Sequence, residues 1–152
     1  MPQSVTAVWS NLYTACQGLF PAPTLVSFGD PGAYQPDVIV AVMGGKIPVA
    51  RPTMGTNRSR EKTCDVEVMI SVYIPGDNQQ SQVAAWTAAQ AMSDQLEAYF
   101  RTAGNETLSG ACREAYVSDT VVDLSNIRDA DSGNQSGSIA EITATVTAYV
   151  RI

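Results

Sequence analysis

Histidine is absent from the 152 residues. That removes the usual general base, the usual partner of a nucleophilic serine or cysteine, and the commonest transition-metal ligand. Serine, cysteine and zinc hydrolases of the familiar kinds are nearly excluded. Cysteine is scarce. Cys16, Cys64 and Cys112 are odd in number, widely spaced and without a CxxC pair, which argues against a disulfide framework or a zinc site. They read as small buried side chains in a reducing compartment. Long apolar runs are also missing: Val38–Met43 falls far short of the roughly 20 residues needed to cross a bilayer. The N-terminus has neither the basic patch nor the apolar stretch of a signal peptide. The expectation is a soluble protein made in the cytoplasm, with no membrane contact.

What the chain does contain is enough to fold. It is 45% hydrophobic and 16% charged, a globular composition, and its length suits one domain, 1–152, with a core of its own. The net charge of −6 is unevenly spread. Five basic residues, Lys46, Arg51, Arg58, Arg60 and Lys62, fall in one short segment with a single acid, Glu61. Of the chain's 9 basic and 15 acidic residues, four and fourteen remain for everything else. An acidic body with one basic segment points to contact with acidic surfaces of other subunits. Binding of nucleic acid by the whole chain would require a broader basic face.

Residues 4–20 carry Val5, Val8, Leu12, Ala15 or Cys16, and Leu19 at helical spacing, with Ser4 able to cap the start and Pro21 and Pro23 to stop it. Thr24–Phe28 reads as a short strand and Val38–Gly44 as a second, followed by a long polar loop from Gly45 to about Thr63. In Cys64–Ile74 apolar and polar residues alternate, the signature of a strand with one dry face. A second helix follows over Ser81–Thr102, with Ala85, Ala89, Met92, Leu96 and Tyr99 or Phe100 as its apolar stripe. Ala115–Leu124 is a fourth strand, Ser125–Gly137 a mobile polar loop, and Ser138–Ile152 a fifth strand with clean alternation. The order α-β-β-β-α-β-β predicts a two-layer α+β domain, a mostly antiparallel sheet with two helices on one face and a threonine-rich, polar second face.

Three apparent motifs fail on inspection. Met43-Gly44-Gly45-Lys46 is not a phosphate loop, because Ile47 follows the lysine and Val40 stands where the first glycine should be. Asp129-Ala130-Asp131-Ser132-Gly133 is not a calcium loop, because its glycine comes one place early and Ala140 replaces the closing glutamate. Asp65 and Glu67 share one strand face, yet catalytic carboxylate pairs need surroundings that drive their pKa values apart, and a wet strand face does not supply them. No metal or other cofactor is implied.

The basic segment is the strongest functional feature. Arg51, Arg58, Arg60 and Lys62 sit among proline, glycine, threonine, asparagine and serine, so the segment reads as an arm docking on a neighbour's carboxylates, which suit arginine's planar fork. No aromatics interleave the basic residues to stack on single-stranded bases. The Ser125–Gly137 loop, with Arg128, Asp129 and Asp131, is a second candidate contact.

With this element order, the run RPTMGTNRSREKT (Arg51–Thr63) leading into CDVEVMISVYI (Cys64–Ile74), and the closing SIAEITATVTAYVRI (Ser138–Ile152), the chain resembles the tail terminator proteins of long-tailed bacteriophages from Ser4 to Ile152. The resemblance implies a homohexameric ring in the virion neck, seated on the head-proximal end of the tail tube. Such a ring halts tube polymerisation, presents a surface to head completion or stopper proteins, and lets DNA pass through its lumen. Other neck proteins, namely head-tail adaptors and stoppers, share size and style, and a tail tube subunit is a further alternative. Outside the virion, the alternatives are a monomeric cytoplasmic protein-binding module and an enzyme using Asp65 and Glu67 or a metal held by carboxylates alone.

Overall fold

The architecture is set by two long strands with strict alternation. A computed structural model describes residues 3–32, 36–48, 61–76, 78–128 and 136–151. In chain order the elements are α1 (Val5–Leu19), β1 (Leu25–Phe28), β2 (Val38–Lys46), β3 (Glu61–Pro75), α2 (Gln79–Arg101), β4 (Glu114–Arg128) and β5 (Ser136–Arg151). The strands form one five-stranded sheet in the order β1-β2-β3-β5-β4, antiparallel throughout except for the β1–β2 pair. The expected α+β fold and its element order are what the structure has.

β3 and β5 lie side by side at the centre, in continuous antiparallel register from Glu61 opposite Arg151 to Pro75 opposite Gly137. Their even-numbered residues make the dry face: Cys64, Val66, Val68 and Ile70 on β3, and Ile142, Ala144, Val146, Ala148 and Val150 on β5, are all fully buried. β-branched residues dominate this face because they pack well on a pleated surface. α2 covers it, and α1 packs on the same side over β1 and β2. α1 inserts Val8, Leu12 and Cys16, and α2 inserts Ala85, Ala89, Ser93, Leu96 and Phe100, into one continuous core with Val40 and Val42 of β2. Alanine at two successive turns lets α2 lie close to the sheet.

The helix ends are fixed locally. Ser4 Oγ accepts from the Ala7 amide at 3.4 Å, as its position before the apolar stripe predicts. Asn78 caps α2 by accepting from the Ser81 amide at 2.8 Å. Trp9 Nε1 donates to the Met43 carbonyl at 3.0 Å and ties α1 to β2. Between α2 and β4 the chain turns through Leu108, a bulky residue at φ 47°, in the left-handed region. Its side chain is buried, and its carbonyl accepts from Asn11 Nδ2 at 2.7 Å, so packing and α1 together hold the turn.

Two sequence expectations need correction. Ser125–Gly137 is not a loop along its whole length: β4 continues to Arg128 and β5 starts at Ser136, with Ser125 paired to Ile139 and Asn126 to Ser138. The polar residues are tolerated in strands because side-chain hydrogen bonds satisfy them. Ser138 Oγ donates to the Gly76 carbonyl at 2.8 Å, and Gln82 Nε2 of α2 donates to the Ser125 carbonyl at 2.8 Å and to Asn126 Oδ1. The second correction concerns Gly45, placed at the start of a loop but held within β2. Val42 lies opposite Val68 and Gly45 opposite Val66, so one extra residue is accommodated as a bulge. A Cβ at Gly45 would fall 1.7 Å from the Asp65 carbonyl oxygen, so only glycine fits.

These contacts set expected stabilities, readable from denaturant midpoints. Leu12→Ala costs about 3 kcal/mol by opening a cavity under α1. Gly45→Ala costs roughly 1–3 kcal/mol, because the neighbouring strand must be displaced. Val83→Ala, on the exposed side of α2, changes stability by less than about 0.5 kcal/mol.

Candidate interaction surfaces

Of the residues singled out from the sequence, Lys62 lies on β3, exposed, opposite Val150 of β5. Arg51, Arg58, Arg60, Asp129 and Asp131 lie outside the described residues. Arg128 is the last residue of β4 and is paired with Ser136, so it belongs to a strand and not to a loop. The β3–β5 register fixes where the two candidate contacts sit. Lys62 is at the end where β3 begins. Arg128 is at the opposite end, beside Gly137 and Pro75. The strand between them spans about 40 Å at roughly 3.3 Å per residue. Of the candidate contact residues that are described, Lys62 and Arg128 stand at opposite ends of the sheet.

The sheet face turned away from the helices is charged. Asp65 and Glu67 of β3, Glu141 of β5, and Glu114, Asp119 and Asp123 of β4 all project from it, against Lys46 and Arg151. Asp123 and Glu141 are direct cross-strand neighbours, a pairing of like charges that destabilises an isolated sheet. This face was only partly legible in the sequence. Alternation assigned Asp65, Glu67 and Glu141 to it, but the β4 carboxylates needed the register, because a bulge between Val117 and Asp119 switches the parity of that strand.

Asp65 has a structural engagement. Thr147 Oγ1 donates to Asp65 Oδ1 at 2.8 Å, and Ser118 Oγ lies 2.8 Å from the same hydroxyl. A carboxylate held by a hydroxyl across the β3–β5 pair ties three strands together. Among the described residues no group of three or more His, Cys, Asp or Glu side chains is placed to hold a metal ion.

An exposed apolar flank is the other surface feature. β4 is an edge strand whose one sheet neighbour is β5, and its Val122 and Leu124 are exposed on the helix side of the sheet. The Gln82 bonds to Ser125 and Asn126 set the adjoining flank of α2 over this edge, with exposed Trp86 one turn further along. The signal in the sequence was Trp86 itself, which stands outside the helix stripe. At the other edge of the sheet Phe28 is exposed, its ring meeting Tyr13 edge-on at 5.7 Å.

All three cysteines are free and buried. Burial pushes the Cys16 thiol from its ordinary value of 9.0 up to about 12. Burial and then the proximity of Cys64 push Cys112 up to about 11, and burial raises Cys64. Such thiols yield little thiolate at neutral pH.

No family model and no curated protein matches the chain. Among solved structures, a chain from the virion of a native gene transfer agent (GTA) particle aligns at a TM-score of 0.39 and 13% identity, over 97% of this chain and 93% of that one. A likeness that weak carries no inference about what this chain does.

The thiols give a pH signature. In the unfolded chain they ionise near 9.0, in the folded chain only at about 11 (Cys112) to 12 (Cys16), so their contribution to stability is complete below pH 9 and is lost as pH rises through that window. Denaturant midpoints measured between about pH 8 and pH 10 are expected to fall, with a shallower fall in Cys16→Ala. Iodoacetamide is expected to leave the native chain unmodified at neutral pH and to alkylate all three cysteines once it is unfolded.

Proposed function

We propose that this protein is a structural component of a phage-like virion, a ring-forming tail terminator at the head-proximal end of a tail tube, with no catalytic role. The observation that carries the reading is the gathering of carboxylates on one sheet face of a chain whose basic residues cluster in one sequence segment. Carboxylates from three strands share one sheet face, whereas the basic residues cluster in the segment that enters the sheet at Lys62. A protein that carries an acidic sheet face and a sequence segment rich in basic residues is suited to contact further copies of itself and acidic neighbours. An acidic face also suits a passage for DNA, because it repels the phosphate backbone and does not hold it.

The two ends of the sheet supply the two axial contacts such a ring needs. The segment with Arg51, Arg58, Arg60 and Lys62 docks on the tail tube and on neighbouring subunits. The β4–β5 hairpin end, with Arg128, Asp129 and Asp131, faces the head completion or stopper protein. The sequence resemblance to tail terminators supports the same assignment.

Reversing two charges tests the reading. Arg58→Glu with Arg60→Glu is expected to leave the thermal unfolding temperature unchanged and to weaken capping, so that tubes lengthen beyond their normal distribution in electron micrographs. Tails of normal length in the double variant would remove the basic segment from the mechanism. A virion neck without this chain would remove the proposal as a whole.

A further inference from the structure

The register of the sheet aligns its two edge strands in a way that specifies a contact. Following cross-strand partners, Phe28 pairs with Val42, Val42 with Val68, Val68 with Ala144 and Ala144 with Thr120. The exposed Phe28 on the β1 edge therefore stands at the same height along the strands as Thr120, two residues from Val122 on the β4 edge. The alternation also puts Phe28 and Val122 on the same, helix-covered side of the sheet. Lys46 pairs with Asp65, Asp65 with Thr147 and Thr147 with Tyr116. Lys46 is thus level with a point between Glu114 and Asp119, and all three project from the open face.

Moving one copy sideways past the other, without shifting it along the strands, brings an exposed aromatic to an apolar flank on one side of the sheet. The same movement brings a lysine to two carboxylates on the other side. In that position Lys46 is level with its carboxylates and Phe28 lies two residues along the strand from Val122, and the two matches use different surfaces of the two copies. We propose that the partner of the β4 edge is the β1 edge of a second copy of this chain, in a heterologous contact with the strands parallel to the axis of the ring. Trp86, Val122 and Leu124 form the apolar half of the contact on one copy and Phe28 on the next; Lys46 faces Glu114 and Asp119. A contact between two different surfaces repeats from copy to copy and closes into a ring when the rotation allows. Tryptophan at a contact centre is a common energetic anchor. The acidic faces of all copies then lie on the same side of the wall.

The inference rests on the ring reading and adds which surfaces close it. Sedimentation velocity of the purified chain over rising concentration tests it, with two flank variants: Trp86→Asp combined with Leu124→Asp, and Phe28→Asp. The wild type assembles, and each variant is weakened by about tenfold or more in association. Each variant keeps one intact edge, so an equimolar mixture forms a discrete dimer and nothing larger. Lys46→Glu weakens assembly, and adding Asp119→Lys restores it; both positions are exposed, so these charge changes leave the fold in place. Variants that assemble like the wild type, a mixture that stays monomeric, or a wild type monomeric at millimolar concentration each overturn the inference. Rings that persist in the flank variants would leave the ring reading standing, whereas absence of the chain from the virion neck would end that reading and leave the association data untouched.

Discussion

The β3–β5 pairing is the constraint on which the rest of the structure depends. These two strands carry the longest strictly alternating patterns in the chain, and their antiparallel register aligns the even-numbered residues of both into one apolar platform. A slip of one residue would turn every one of those side chains to the opposite face, so the register is strongly specified. α2 rests on this platform, and α1 lies beside it over β1 and β2. The carboxylates on the open face, the heights of the edge residues and the separation of the two ends all follow from it.

Much of this was legible in the sequence because alternation and helical spacing are local signals. The strand at Cys64–Ile74 and the closing strand emerged nearly whole, and Ser4 caps α1 as read. What escaped was set by partners distant in the chain. Ser125 and Asn126 look like loop residues until Gln82 and Ser138 are beside them. Ser93, and not Met92, is among the fully buried residues of α2, because the core there tolerates a small side chain. Leu108 adopts a left-handed conformation that no propensity would assign to leucine; burial and Asn11 hold it there.

The candidate surfaces divide in the same way. Composition alone located the basic segment, since charge clustering is visible without a fold. Its acidic counterpart was hidden, because Glu114, Asp119 and Asp123 are spread through β4 and converge on β3 and β5 carboxylates only through pairing. The bulge between Val117 and Asp119 matters here: without it, Glu114 and Asp119 would project from opposite faces of the same strand.

The cysteines carry a different consequence. Side chains that neither meet water nor ionise near neutrality are indifferent to the oxidants around them. A fold stabilised by hydrocarbon contact, with its thiols sealed inside, offers no cysteine to an oxidant while it stays folded.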